Sequence, residues 1–418
     1  MRILHFADLH LGIETYGSFD TQTGLSTRIL DFLHAFDRIV DYAIEHQVDA
    51  VLFAGDAFKN RDPSPTLQRE FARRIVRLSE AKIPIVLLVG NHDLPASTNR
   101  ATHTEIYSVL EIPGVYVCRE IDLIDVCTRA GSLQVVTVPW VTRSMFLASE
   151  HFRVMAQDNL EKAMADTVSK LVGELLPEIT PDSPAVLLAH LSVQGATFGF
   201  ERSIMLGKDL TVGLDDMSAS AFDYVALGHI HKHQQIIARP PAVYAGSPER
   251  VDFGEEREAK GFVDLTISAG ERGQRTTEWK FVELETRPFR TVRIDATGGM
   301  PMVVVEREIR AQSDLLKDAI VRCYVEVDQG LETSVSSLEI RSMIAATGAS
   351  HIARVVVESE TVNRQRLELQ AGDEFDSIRM LEKWIEQKQY QSQFGERLLE
   401  KGRELIERQR RESEREQG

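Results

Sequence analysis

Ile3-Leu4-His5-Phe6-Ala7-Asp8-Leu9-His10-Leu11-Gly12 places a mainly apolar run directly before a carboxylate and an imidazole one residue apart. A strand over residues 3–7 would deliver Asp8 and His10 into the same loop. Four further segments repeat the arrangement. Gly55-Asp56 follows Ala50–Ala54, and Gly90-Asn91-His92-Asp93 follows Ile85–Val89. His190 follows Ala185–Ala189, and Gly228-His229-Ile230-His231 follows Tyr224–Leu227. Several of these runs are continuous rather than alternating, the pattern of strands covered on both faces. Open α/β sheets gather ligands beyond the carboxyl ends of their strands, so the five fragments are expected to converge.

Together the fragments offer carboxylates, one amide oxygen and several imidazoles, enough for two divalent cations side by side. The mixture suits manganese, iron or zinc better than magnesium or calcium. Gly55, lacking a side chain, lets backbone approach a metal. A lone D-x-H or G-x-H-x-H carries little information, but all five segments in this order carry much more. Loop polar residues and satisfied histidines are the weaker reading of that repetition.

The intervening sequence supports an α/β sheet. Leu25, Ile29, Phe32, Leu33, Phe36, Ile39, Val40 and Ala43 follow the helical period with charge on the other face. A second helix is expected from Pro65 past Phe71, Ile75 and Leu78, stopping before Pro84. Leu160, Ala163, Met164, Val168, Leu171 and Val172 mark a third, and further strands are expected at Val135–Val138, Val243–Ala245 and Phe262–Ile267. Strand–helix–strand alternation predicts parallel pairs with helices on the sheet faces.

Around Thr286-Arg287-Pro288-Phe289 the pattern changes and the motif segments end. From Arg290 to about Glu360 the expected unit is βαβαβ, with strands at Thr291–Ile294, Cys323–Val327 and Ala353–Glu358. Its helices would lie near Met302–Arg310 and Val335–Thr347. Val303-Val304-Val305 suits a strand equally well, while Pro301 favours a helix start. From Glu374 the chain turns charged and helix-favouring. Phe375, Ile378, Leu381 and Ile385 make one apolar stripe, and Leu398, Leu399, Leu405 and Ile406 another. Mixed charge there argues against a basic nucleic-acid tail. Three parts are therefore expected: residues 1–285, 286–372 and 373–418.

Bulk properties narrow the class. The 418 residues carry a formal net charge of −16, which argues against a protein that grips nucleic acid over its whole surface. A local site is compatible with it, because two divalent metals would add about four positive charges where phosphate must sit. Three cysteines without C-x-x-C spacing, Cys118, Cys127 and Cys323, predict no disulfide framework and a reducing cytoplasm. No apolar run long enough to span a bilayer is present, and the opening strand is too short for a signal segment.

The motif set resembles the calcineurin-like metallophosphoesterase superfamily. Within it, the chain is most similar to the nuclease subunits of bacterial double-strand-break processing complexes. Ala7-Asp-Leu-His-Leu-Gly12 resembles the family opening, and Ala245-Gly-Ser-Pro-Glu-Arg-Val-Asp-Phe-Gly-Glu255 resembles the segment after the last histidine motif. The order of phosphoesterase part, small capping part and C-terminal helices also matches.

The resemblance implies a four-layer α/β sandwich with a small α/β capping domain. It assigns one metal to Asp8, His10, Asp56 and His231, and the second to Asp56, Asn91, His190 and His229. It makes His92 the residue that contacts the scissile phosphate, with Asp93 fixing its ring. It implies two manganese ions, DNA ends and hairpins as substrate, a homodimer within a heterotetramer, and a coiled-coil SMC-like ATPase docked on the C-terminal helices. A small-molecule (cyclic nucleotide) phosphodiesterase or phosphatase would use the same ligands, and a non-catalytic DNA-end scaffold is the third reading.

Other polar residues read more plainly. His5, His34, His46, His103, His151 and His351 are expected at the surface or in the core, and His233 could line the cleft. Lys59, Arg61 and Arg100 could touch phosphates, but solvated charge is the simpler reading. Glu249, Arg250 and Asp252 could brace the active-site loop, and Trp140 and Phe198 could stack on a base.

Overall fold

The computed structural model describes residues 1–95, 101–143, 146, 157–199, 210–270, 275–359 and 397–404. The chain forms two compact units, Met1–Glu360 and Thr361–Gly418. In the second, residues 397–404 are helical. The stripe expected from Phe375 to Ile385 lies outside the described residues, as do Leu405, Ile406, Arg100 and His151.

Two six-stranded sheets build the larger part of the first unit. In chain order their strands are β1 (Arg2–Phe6), β2 (Ala50–Phe53), β3 (Ile85–Leu88), β4 (Val115–Cys118), β5 (Asp122–Thr128), β6 (Gly131–Val138) and β7 (Ala185–His190). After a short pair, β8 (Ser192–Val193) and β9 (Thr211–Val212), come β10 (Tyr224–Gly228), β11 (Gln234–Ala238), β12 (Pro241–Tyr244), β13 (Gly261–Ala269) and β14 (Arg275–Glu283). The first sheet runs β14-β13-β1-β2-β3-β4 and the second β11-β12-β10-β7-β6-β5.

Burial on both strand faces explains the continuous apolar runs. Leu4 and Phe6, Val51 and Phe53, Ile85 and Leu87 meet Phe32, Phe36, Ile39, Phe71 and Ile75 of helices α1 (Thr27–Glu45) and α2 (Pro65–Glu80). Their neighbours Ile3, Ala50, Leu52, Val86 and Leu88 point the other way and meet Val135, Val186, Leu188, Ala226 and Val243 of the second sheet. On that sheet's far side Leu187, Ala189, Val225 and Leu227 pack with Leu160, Met164, Val168 and Val172, the last four from a helix over Gln157–Leu175. The layers are helix, sheet, sheet and helix, and each large apolar side chain fully buried in them contributes about 1.5–3 kcal/mol. Ser26 and Ser64 cap α1 and α2 by accepting from Arg28 N and Leu67 N, and Pro65 opens α2.

The expected parallel pairs hold in the centre, where β1, β2, β3 and β4 are parallel, as are β6, β7, β10 and β12. β13 and β14 add antiparallel strands at one edge of the first sheet, and β11 and β5 border the second. The parallel centre brings the carboxyl ends of β1, β2 and β3 to one edge, and those of β7 and β10 likewise. The motif loops are then stitched together. Asp8 N–H donates to Gly55 O at 3.0 Å, His10 N–H to Asp56 O at 3.0 Å, and His229 N–H to Asp8 Oδ1 at 3.0 Å.

A third sheet of three parallel strands follows: β15 (Phe289–Asp295), β16 (Ile320–Val327) and β17 (His351–Ser359). Helices over Pro301–Ala311 and Ser337–Ala346 pack Val305, Ile309, Ile340 and Ile344 onto Val292, Ile294, Val321, Cys323 and Val325. The segment 303–305 is helical. Val305 and Ile309 lie one turn apart and are both buried, so packing of that stripe decides against the β-branched preference. Arg287, just before β15, grips Asp31 of α1 through two bonds of 2.6 Å, and Arg28 reaches the same carboxylate at 2.7 Å.

Candidate metal centre

Asp8, His10, Asp56 and His229 all have positive φ, at 53°, 45°, 61° and 98°. Non-glycine residues rarely adopt this backbone, and it persists only where the surroundings over-determine it. Two glycines make the close packing possible. A Cβ on Gly90 would lie 2.2 Å from Asp56 Oδ1, and one on Gly55, itself at φ 97°, would lie 2.5 Å from His190 Nδ1.

The donor atoms converge. His10 Nε2 lies 2.9 Å from His231 Nε2 and 3.6 Å from Asp56 Oδ2. On the other side His190 Nε2 lies 3.5 Å from the same Asp56 oxygen and 3.0 Å from Asn91 Oδ1, which is 3.1 Å from His229 Nδ1. Asp8 has carboxylate oxygen within 4.8 Å of donor nitrogens of both His10 and His231. All seven expected ligands are therefore brought together, with the Asp56 carboxylate between the two groups.

Hydrogen bonds behind the rings select tautomers. His190 Nδ1–H donates to Ala54 O at 2.6 Å, leaving Nε2 toward Asp56 and Asn91. His231 Nδ1 meets Glu255 Oε1 at 2.8 Å. His92 lines the cleft with its Nδ1 2.7 Å from Lys59 O, and its backbone N–H donates to Asp56 Oδ1 at 2.8 Å.

Asp93 corrects one expectation. Its carboxylate does not hold the His92 ring. Fully buried, it accepts from the backbone of Asp56 at 2.8 Å, Ala57 at 2.9 Å and Gly90 at 2.9 Å, and it meets His103 Nε2 at 3.2 Å. It pins two motif loops to each other, and the carbonyl of Lys59 orients His92 instead.

Charge in the cluster is contested. Burial pushes the Asp8 carboxyl up to about 6, against the pull of His190 and His231. Burial drives His10 well below the usual imidazole value, and His231 adds to the effect. Burial would also raise Asp56, but His190, His10 and His92 outweigh it and hold the carboxyl well below the carboxylate range. His190 rises to about 9 because Asp56 outweighs its desolvation. Imidazoles and carboxylates packed this closely shift one another's protonation, and divalent cations would take the place of those protons. The donor set fits two such ions.

The wall of the cleft, a cavity of about 450 Å³, also includes Tyr16, Lys59, Asn60 and Asp252. Trp140 packs its ring 4.7 Å from that of His229. His233 turns away and stacks on Phe281 at 4.0 Å. His5 is fully buried, and the side chain of His103 is 5% exposed beside Asp93. Arg28, which is fully buried, donates to Arg250 O and lies 3.8 Å from Glu249, so this stretch is braced from within. Sequence reasoning missed Glu255 and Lys260. The only signal for Glu255 was its place at the end of the segment Ala245–Glu255.

A calcineurin-like phosphoesterase family model matches residues 1–233, more than half of the chain, and the chain belongs to that family. It is accordingly a metal-dependent phosphoesterase built on the four-layer fold. Along most of its length it is similar to the SbcD subunit of nuclease SbcCD from Bacillus subtilis (strain 168), with 28% identity over 378 residues, or 88% of this chain and 89% of that protein. Among solved structures, a protein from Thermus thermophilus aligns at 13% identity over 66% of this chain and 97% of its own, with a TM-score of 0.36. A dimetal phosphatase from Danio rerio aligns at 9% identity over 63% and 92%, with a TM-score of 0.35. Among the described residues no helix is long and apolar enough to cross a membrane.

Proposed function

We propose that the chain is a two-metal, manganese-dependent DNA phosphodiesterase, exonucleolytic on duplex ends and endonucleolytic on single strands and hairpins. The observation that carries the DNA reading is the length of the similarity to the Bacillus subtilis SbcD nuclease. Its 378 aligned residues cannot be contained in residues 1–285, so they extend into the third sheet. A compact small-molecule phosphodiesterase has no need of that sheet.

Bound cations supply water activation and neutralise charge developing on the phosphate oxygens. The chain's own residues arrange the rest. Asp8, His10, Asp56 and His231 would hold one ion, and Asp56, Asn91, His190 and His229 the other. His92, oriented by Lys59 O, reaches the scissile phosphate and assists the leaving oxygen. Asp93 keeps the Asp56 and Gly90 loops in register. Residues 286–372 would cap the cleft and bind DNA.

The test compares substrates on one preparation with manganese: a linear duplex, a 5′-labelled hairpin and a cyclic nucleotide. Degradation of the duplex and opening of the hairpin, with the cyclic nucleotide hydrolysed far more slowly, is expected. Efficient turnover of the cyclic nucleotide with both DNAs intact would overturn the proposal in favour of the small-molecule reading.

The partner belongs to the same proposal. Residues 373–418 would form amphipathic helices that dock on an SbcC-type coiled-coil ATPase, and the chain would act as a homodimer in the cytoplasm as part of a heterotetramer. Truncation before Glu374 should abolish co-purification with the ATPase while leaving metal content unchanged. Retained co-purification would remove the tail from the interface.

A further inference from the structure

Glu255 is almost fully buried at 2% exposure, ends the short 3-10 turn Phe253–Glu255, and uses both carboxylate oxygens. Oε1 lies 2.8 Å from His231 Nδ1. Oε2 accepts from Val251 N–H at 2.8 Å and lies 2.9 Å from the ammonium of Lys260. Lys260 is itself buried, and its Nζ also reaches Ser247 Oγ at 2.9 Å, Glu258 Oε2 at 3.0 Å and the backbone O of His231 at 3.2 Å. One buried ammonium thus grips both the backbone of His231 and the carboxylate behind its ring.

We infer that Glu255 is a positioning residue for the metal centre. It holds the His231 proton on Nδ1 so that the basic Nε2 faces His10, and Lys260 fixes the carboxylate for that task. The physical reason is tautomeric. A neutral imidazole has one basic nitrogen, and a charged acceptor at Nδ1 decides which one it is. An acceptor that also carries a buried counter-cation cannot swing away, because it would leave Lys260 short of one of its two carboxylates. A turn serving only to support the loop would not need a carboxylate aimed at a ligand's rear nitrogen. The same turn is fastened on its other side by Glu256, which accepts from Thr291 N–H at 2.9 Å. Glu256 therefore offers a control that loosens the turn without touching the His231 contact.

The inference rests on the two-metal reading, and calorimetric titration of the full chain with manganese separates the two. Wild type should bind two ions. Glu255→Gln, which keeps an acceptor but loses the charge, should weaken one of the two binding events, and Glu255→Leu should weaken the same event by about 10–100-fold. Glu258 remains beside Lys260 in both variants. Glu256→Gln should bind both ions as wild type does. Nitrogen NMR of the metal-free protein should show His231 protonated at Nδ1 in wild type and shifted toward Nε2 in Glu255→Leu. Wild-type affinity in both Glu255 variants would overturn the positioning role, whatever their thermal stability. So would an equal loss in Glu256→Gln, which would assign the effect to the turn as a whole. A wild type that binds fewer than two ions would instead refute the two-metal reading.

Discussion

Asp56→Asn should lower phosphodiester hydrolysis by on the order of 10³-fold at saturating manganese, with loss of metal binding as well as of rate. Asp56 Oδ2 lies 3.6 Å from His10 Nε2 and 3.5 Å from His190 Nε2, so one oxygen serves both donor groups. Asparagine keeps the size but replaces one carboxylate oxygen with an NH2 group. That group can only donate, and it would face ring nitrogens that must themselves be acceptors toward a cation. The charge is lost as well. His190, His10 and His92 outweigh burial and hold Asp56 well below the carboxylate range, so the site is organised around its ionised form. The backbone should not move, because Asp93 still accepts from the N–H groups of residues 56, 57 and 90. Titration with manganese and circular dichroism check the claim together. Loss of metal stoichiometry with an intact fold is expected. Two ions bound at wild-type affinity would exclude a shared carboxylate.

The legible and illegible parts of this molecule divide by what sets each residue's environment. β1, β2 and β3 could be read because both faces are covered. Leu4 and Phe6 serve one core while Ile3 serves another, so the run is apolar except at His5. The strands that were missed lie at sheet edges. Arg275–Glu283 has no fully buried position, so it lacks the continuous apolar run that marks the central strands. The convergence of the seven residues was legible because each sits within a few residues of a strand end, where chain topology brings the loops together. Asp93 was misread because adjacency to His92 suggested contact with the ring, whereas its side chain turns inward to three backbone N–H groups. Glu255 was invisible as a partner of His231, since the two are separated by 24 residues and meet only through the fold.

His92→Asn should cut the turnover rate by about 10²–10⁴-fold while both metal ions still bind, separating chemistry from ligation. The ring of His92 stands edge-on to His10, with centroids 4.8 Å apart and planes at 86°. Its Nδ1 is held 2.7 Å from Lys59 O, which leaves Nε2 as the nitrogen available to a substrate in the cleft. What ties His92 to the cluster is its backbone, whose N–H donates to Asp56 Oδ1 at 2.8 Å, and asparagine retains that N–H. The competing assignment is ligation, since a His92 ring nitrogen lies within 4.8 Å of donor atoms of His10 and Asp56. The two assignments part at the titration. A ligand role costs the mutant one ion or a large drop in affinity, whereas a phosphate-contacting role leaves both binding events unchanged and lowers only the rate. Substrate affinity sharpens the comparison. A group acting on the leaving oxygen is needed more in the transition state than in the bound substrate, so kcat should fall with KM nearly constant. A mutant that hydrolyses DNA at the wild-type rate would place the proton transfer elsewhere in the cleft. Within the cavity wall, Tyr16 and Lys59 would then be the side chains to substitute next.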